Sequence, residues 1–121
     1  MGAIVFHRVS KQFGRVGALK ELSLTCESGE LTVVLGHSGA GKTTLLKMLL
    51  AQERPTDGSV FLESVDIHSL KKNELNLLRR RMGTVFQDFK LLPDKTVFEN
   101  ISLPRNIKES CKLLPVLSAR K

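Results

Sequence analysis

The stretch that most constrains the fold is residues 36–43, which read Gly-His-Ser-Gly-Ala-Gly-Lys-Thr. The stretch fits the phosphate-loop pattern G-x-x-x-x-G-K-[ST], in which glycines let the backbone wrap closely around a phosphate chain. A helix that begins at such a loop adds unsatisfied N–H groups and the positive end of its dipole. The pattern predicts that Lys42 reaches the β- and γ-phosphates and that the Thr43 hydroxyl binds Mg²⁺.

The residues on either side of the loop have the order that a nucleotide site requires. Residues 31–35 read Leu-Thr-Val-Val-Leu, a short apolar run that predicts a buried strand ending at Gly36. A leucine stripe then predicts a helix running to about Gln52; its members are Leu45, Leu46, Leu49 and Leu50. We therefore expect a nucleotide-binding loop whose residues are Gly36, Ser38, Gly39, Ala40, Gly41, Lys42, Thr43 and Thr44.

Composition narrows the classes of partner. The 121 residues suffice for one domain with a modest core, and the net charge is +7. The chain contains no Trp or Tyr and only six Phe, so it is poorly supplied for stacking on the bases of nucleic acid, and we expect no nucleic-acid partner. Two distant cysteines and three scattered histidines predict neither a disulfide framework nor a zinc site.

Two strands are predicted before the phosphate loop, at 3–9 and 18–26, and we expect them to pair antiparallel. The polar stretch 10–17 between them predicts a loop or a hairpin connection, and Phe13 lies in that stretch. Two interpretations of Phe13 remain open at this point. Its ring either caps the hairpin as a core residue or stacks on adenine beside the phosphate loop.

Five further elements are predicted after the loop. They are a turn at 55–58, strands at 59–62 and 83–86, and helices at 72–81 and 96–101, the last opened by a Thr96–Glu99 capping box. Gln87 follows the strand at 83–86. An amide at the carboxyl end of a strand either faces a ligand, where its oxygen binds Mg²⁺ or orients a water, or is simply a polar strand end.

This order of elements resembles the first half of an ATP-binding-cassette nucleotide-binding domain. Within that superfamily, residues 86–101 closely resemble the bacterial cell-division ATP-binding family FtsE. The resemblance spans roughly residues 4–104, and residues 105–121 form a divergent tail. It implies an α/β fold of the P-loop NTPase class, with an N-terminal antiparallel β subdomain and an incomplete parallel core.

The resemblance also implies roles for individual residues. Phe13 takes the adenine-stacking place, and Lys42 and Thr43 take the phosphate and Mg²⁺ places. Gln87 takes the catalytic place that senses Mg²⁺ and the lytic water and links the nucleotide to a membrane partner. The implied partners are an integral membrane protein of the cell-division complex and a second copy of the domain, at the cytoplasmic face of the inner membrane.

Three family motifs do not occur in the sequence: a Leu-Ser-Gly-Gly-Gln helix, an apolar strand ending in Asp-Glu, and a switch His. We therefore expect a truncated chain that binds ATP with Mg²⁺ but hydrolyses it poorly. Three alternatives remain open: the ATPase of another ABC transporter such as lipoprotein release, a small P-loop kinase, and a non-catalytic basic binding module.

Overall fold

The computed structural model describes residues 3–37, 39, 41–85, 87, 91–106 and 114–117. The chain divides into two units, Met1–Lys71 and Lys72–Arg120, and each is described by itself. We call them the first unit and the second unit. The phosphate loop lies in the first unit and Gln87 lies in the second.

The first unit is built on a four-stranded sheet in the order β2-β1-β3-β4, in which every neighbouring pair is antiparallel. Its strands are β1 (Ile4–Phe13), β2 (Val16–Cys26), β3 (Asp57–Leu62) and β4 (Val65–Asp66). A single 3-10 turn, Ile67–Ser69, follows β4. The predicted antiparallel pair before the phosphate loop is confirmed.

The hairpin between β1 and β2 is tighter than the sequence predicts. Strand β1 runs to Phe13, which pairs with Val16, so that only Gly14 and Arg15 form the turn. Gly14 has φ 59, a conformation that glycine adopts at little cost. The predicted connection at 10–17 is therefore a hairpin whose turn is shorter than the predicted bounds, because polar side chains do not prevent the backbone from pairing.

Bulges interrupt the hairpin, and serine side chains satisfy the backbone there. Arg8 and Glu21 both have positive φ, at 47 and 44, where the β1–β2 register shifts. The Arg8 N–H donates to Ser23 Oγ at 3.1 Å, and the Glu21 N–H donates to Ser10 Oγ at 2.9 Å. The hydroxyls thus replace ladder hydrogen bonds that the bulges remove.

The bulge at Arg8 also brings β1 unusually close to β3. Gly58 has φ 86, and a Cβ there would collide with the Arg8 carbonyl oxygen and lie 2.6 Å from the His7 carbonyl oxygen. The predicted turn at 55–58 is shifted, because β3 already begins at Asp57. The Thr56 N–H donates to the Ser10 carbonyl at 2.8 Å, so pairing with β1 starts one residue earlier still.

Helix α1 (Lys42–Leu49) contacts β3 and contributes to the core of the first unit. Leu45, Met48 and Leu49 are buried, at the spacing that places them on one helical face. Burying each such side chain contributes about 1.5–3 kcal/mol. The helix ends at Leu49 rather than near Gln52, because Ala51 adopts a positive φ of 55. The buried strand and turn residues of this unit are Phe6, Val9, Val60, Leu62 and Ile67.

The predicted strand at 31–35 is wrong. Residues 30–37 adopt no regular structure, and Leu31 and Leu35 are 77% and 81% exposed. A strand needs a neighbour to accept and donate its backbone hydrogen bonds. Among the residues that the structure describes, no strand pairs with this segment, so its apolar sequence alone does not make it a strand.

The second unit contains α2 (Lys72–Arg79), β5 (Met82–Val85), α3 (Val97–Asn106) and β6 (Leu114–Leu117). Strands β5 and β6 pair parallel, with Met82 opposite Leu114 and Val85 opposite Leu117. The predicted helix at 72–81 and strand at 83–86 are present with boundaries shifted by one or two residues, and Phe86 lies outside the described residues. Strand β6 was not predicted, because the tail shows little periodicity.

The capping box at the start of α3 is confirmed in detail. The Thr96 N–H donates to Glu99 Oε2 at 2.8 Å, and the Glu99 N–H donates back to Thr96 Oγ1 at 3.2 Å. Asn100 secures the preceding loop, since its Oδ1 accepts from the Leu92 N–H at 2.8 Å and its Nδ2 donates to the Thr96 carbonyl at 3.0 Å. The helix runs to Asn106, beyond the predicted end at Ile101.

Gly58→Ala should lower the free energy of unfolding by about 2–4 kcal/mol, because the new Cβ meets backbone and must also adopt positive φ. Gly14→Ala is the matched control. It carries the positive φ but meets nothing within 4 Å, and it should cost about 1–2 kcal/mol. Urea unfolding followed by circular dichroism measures both, and equal costs would show that the close approach of β1 does not matter.

The capping box should also respond to pH. Two hydrogen bonds lower the pKa of Glu99 below its ordinary value of 4.5. The larger effect comes from the Thr96 N–H and the smaller one from the Thr96 hydroxyl. The ionised carboxylate therefore stabilises the start of α3 fully when the pH is above the ordinary pKa of 4.5. This stabilisation is lost as the pH falls through the lowered pKa. Amide chemical shifts of Thr96 followed against pH should show this transition. In Glu99→Gln the transition should vanish, and its persistence would exclude Glu99 as the titrating group.

Candidate nucleotide-binding site

The glycine-rich loop is bent and leads directly into a helix. Gly39 and Gly41 have φ 81 and 94, and Gly41 is the N-cap residue of α1. The first hydrogen bond of the helix runs from the Leu45 N–H to the Gly41 carbonyl at 3.1 Å. The N–H groups of the first turn have no partner within a helix, so the start of α1 provides donors and a positive dipole end for an anion.

The loop is seated against the hairpin through Gly41. A Cβ at this position would lie 2.7 Å from the Ala18 carbonyl oxygen and 2.8 Å from Leu19 Cδ2. Only glycine permits this approach, since any side chain would collide with the β2 backbone. Two independent reasons therefore require glycine at 41, its φ of 94 and its contact with β2.

The Lys42 side chain turns back over the loop. Its ammonium donates to the Gly36 carbonyl and, at 2.7 Å, to the His37 carbonyl. The side chain is half-buried, and it links the beginning of the loop to the first residue of α1. A phosphate oxygen is a stronger acceptor than a carbonyl for an ammonium donor, so the lysine is placed to exchange one for the other.

The remaining predicted residues of the loop are placed in part. Thr43 is exposed and Thr44 is half-buried, both in the first turn of α1. Ser38 and Ala40 lie outside the described residues. The binding of Mg²⁺ by the Thr43 hydroxyl stays a prediction.

Phe13 lies on the same hairpin that seats the loop. It is 45% exposed and does not belong to the buried core, so the interpretation that it caps the hairpin as a core residue is wrong. Phe13 pairs with Val16, and Val16 is two residues from Ala18, which contacts Gly41. That separation is about 7 Å along a strand. The structure thus brings an exposed aromatic ring and the phosphate loop to the same end of one hairpin.

Gln87 is exposed and lies two residues beyond the end of β5. Its predicted place near the carboxyl end of a strand is confirmed. It belongs to the second unit, and its role toward Mg²⁺ and water stays a prediction.

One partly buried histidine of the first unit lies beside the last turn of α1. Burial lowers the pKa of His68, and the positive charges of Arg54 and Lys11 lower it further, against the raising effects of Asp66 and of a hydrogen bond with the Met48 backbone. The lowered pKa favours the neutral imidazole, and its Nε2 has no hydrogen-bond partner among the described residues. Among all the residues that the structure describes, no group of three or more His, Cys, Asp or Glu side chains could hold a metal ion.

Comparison with known proteins identifies the family. The sequence profile of the family described as "ABC transporter" matches residues 19–120. The chain belongs to this family. Its fold is that of an ABC nucleotide-binding domain, a P-loop NTPase fold with an antiparallel β-sheet, and domains of this kind bind ATP.

The curated relatives of this chain include proteins of methionine import and of cell division. The methionine import ATP-binding protein MetN of Photobacterium profundum is 44% identical over 105 residues, which is 84% of this chain and 30% of that protein. The cell division ATP-binding protein FtsE of Bacillus subtilis (strain 168) is 47% identical over 87 residues, which is 72% of this chain and 38% of that protein. The chain thus spans about a third of the length of these relatives.

A solved structure supports the fold. The ATP-binding cassette MJ0796, in a dimeric post-hydrolysis state bound to ADP and Pi, superimposes with a TM-score of 0.76 and 33% identity over 92% of this chain and 50% of that one. The resemblance to the ABC superfamily is confirmed, whereas a particular nearness to FtsE is not, because several relatives of similar identity are MetN proteins. Within the described ranges, no helix combines the length and apolar character that crossing a membrane requires.

Lys42→Ala should loosen the loop before any nucleotide binds, because the ammonium no longer links α1 to the Gly36 and His37 carbonyls. Hydrogen exchange at residues 36–41 should become faster. Lys47→Ala is the matched control, since Lys47 is an exposed lysine in the last turn of the same helix. Equal exchange in wild type and Lys42→Ala would contradict this arrangement of the loop.

Proposed function

We propose that this chain binds Mg²⁺-ATP as the nucleotide-binding part of an ABC-type membrane complex. One observation carries the proposal: a glycine loop that opens α1 lies against the hairpin bearing the exposed Phe13, with the Lys42 ammonium turned onto the loop. The triphosphate occupies the loop and the helix N-terminus, and adenine stacks on Phe13. Gly36, Ser38, Gly39, Ala40, Gly41 and Thr44 complete the cradle.

Thr43 and Gln87 are the proposed protein ligands of Mg²⁺. Hydroxyl and amide oxygens suit this hard cation, and the resemblance to ABC domains assigns it to both residues. A cation held by these residues would neutralise negative charge on the phosphate oxygens. Gln87 is further proposed to position the attacking water and to couple the nucleotide to a membrane subunit.

We propose that these 121 residues supply the nucleotide cradle rather than every group that hydrolysis needs. Phosphoryl transfer needs a positioned water and charge stabilisation around the γ-phosphate. The strand ending in Asp-Glu, the Leu-Ser-Gly-Gly-Gln helix and the switch His do not occur in the 121 residues. The cradle therefore supports binding, while the groups that would polarise the water are not supplied by this sequence.

The cell-division complex is the proposed setting, at the cytoplasmic face of the inner membrane. The run at 86–101 and the 47% identity to FtsE of Bacillus subtilis support it. Methionine import is the second candidate, favoured by several MetN relatives, such as that of Rhizobium johnstonii at 45% identity. In either setting we propose a membrane subunit and a second nucleotide-binding domain as partners; MJ0796 is itself dimeric.

The two settings differ in the membrane subunit that should capture the chain. Detergent-solubilised membrane subunits of a cell-division complex and of a methionine importer, immobilised separately, give the direct comparison. Preferential retention by the cell-division subunit in the presence of Mg²⁺-ATP supports the first setting. Preferential retention by the importer subunit supports the second and overturns the first.

Lys42→Ala should weaken Mg²⁺-ATP binding about ten-fold or more, because a charge-assisted contact worth about 1.5–3 kcal/mol is lost. Isothermal titration calorimetry on the full chain measures this, with Lys47→Ala expected to bind like wild type. Unchanged affinity in Lys42→Ala would contradict the site. Tighter, salt-dependent binding of DNA than of Mg²⁺-ATP would instead favour a basic binding module.

A further inference from the structure

We propose that Lys11 is the positioning residue of the nucleotide base site: its ammonium holds one face of the Phe13 ring so that the opposite face receives adenine. The proposal rests on the proposed function, which assigns Phe13 to adenine. It adds a residue to the site that neither the phosphate-loop pattern nor the resemblance assigns.

The Lys11 ammonium is fixed by partners from outside β1. It donates to the Arg54 carbonyl at 2.7 Å and pairs with Glu53 Oε2 at 3.0 Å. Only 13% of the Lys11 side chain is exposed, compared with 69% for Arg8 in the exposed Arg8–Glu21 pair of the same sheet. A cation held by two partners and shielded from water keeps one geometry, unlike a freely solvated surface lysine.

The same ammonium lies over the Phe13 ring, 4.9 Å from its centroid. This distance is within the range of a cation–π contact. One face of the ring is thereby occupied, while 45% of the Phe13 surface stays exposed. The ring thus has a cation over one face and keeps nearly half of its residue surface exposed, and a stacking platform requires both a fixed ring and an exposed surface.

Backbone contacts fix the segment that carries these partners. The Gln12 N–H donates to Thr56 Oγ1 at 3.1 Å, and the Thr56 N–H donates to the Ser10 carbonyl at 2.8 Å. The segment that supplies Glu53 and Arg54 follows α1 and is therefore tied to β1 on both sides of Lys11. Through Lys11, the helix that begins at the phosphate loop is connected at its other end to the base site.

The chemistry of the contact favours adenine. A cation over one face attracts the π-electrons of the ring, which lowers the electron density of the opposite face. An electron-poor face stacks better on the electron-rich purine, because repulsion between the two π-systems is reduced. Lys11 therefore both orients the ring and tunes it, without touching the base.

Two ligands separate this role from a general structural one. Mg²⁺-ATP uses the base site and the phosphate loop, whereas Mg²⁺-tripolyphosphate uses only the loop. Lys11→Met keeps an unbranched side chain of nearly the same length and removes its charge. It should weaken Mg²⁺-ATP binding by about 3–10-fold and leave Mg²⁺-tripolyphosphate binding within about two-fold. Lys11→Arg keeps a cation over the ring and should restore Mg²⁺-ATP affinity.

The outcomes are distinguishable by calorimetry on the full chain. Phe13→Ala should weaken Mg²⁺-ATP binding at least as much as Lys11→Met, and adding Lys11→Met to Phe13→Ala should cause no further loss. Equal weakening of both ligands by Lys11→Met, or no rescue by Lys11→Arg, would overturn the role of Lys11 and leave the proposed function standing. Unchanged Mg²⁺-ATP affinity in Phe13→Ala would overturn the adenine assignment and the role of Lys11 together.

Discussion

The contact between Gly41 and the β2 backbone is the constraint on which the site depends. It holds the start of α1 against Ala18 and Leu19, and so fixes the helix N-terminus relative to the hairpin that carries Phe13. The loop needs positive φ at Gly39 and Gly41, and its lysine closes it by donating to two of its own carbonyls. The phosphate cradle and the candidate base platform are therefore both positioned by the same hairpin.

Local patterns were predicted well, because the interactions that form them lie within a few residues. The capping box of Thr96 and Glu99 has the expected reciprocal hydrogen bonds, and the phosphate-loop string does open a helix. Both need only backbone geometry and a side chain nearby in sequence. Membership in the ABC family could be predicted for a similar reason, since its diagnostic residues form two short stretches, 36–43 and 86–101, in a recognisable order of elements.

Features set by distant partners could not be predicted from the sequence. The apolar run 31–35 has the composition of a buried strand, yet no described strand pairs with it. The polar residues around Phe13 predict a loop or hairpin connection at 10–17, whereas pairing with β2 continues through Gln12 to Phe13. The hydrogen bond that fixes Lys11 joins it to Arg54, which lies 43 positions further along the chain. The periodicity of a sequence does not predict such a distant contact.

The central claim is that a triphosphate takes the place of two backbone carbonyls at the Lys42 ammonium. The most direct measurement is a crystal structure of the chain with Mg²⁺ and a non-hydrolysable ATP analogue. The account predicts that Lys42 Nζ leaves the Gly36 and His37 carbonyls for phosphate oxygens while Gly41 stays against Ala18. Phosphates bound elsewhere, or a lysine that still donates to both carbonyls with nucleotide present, would contradict it.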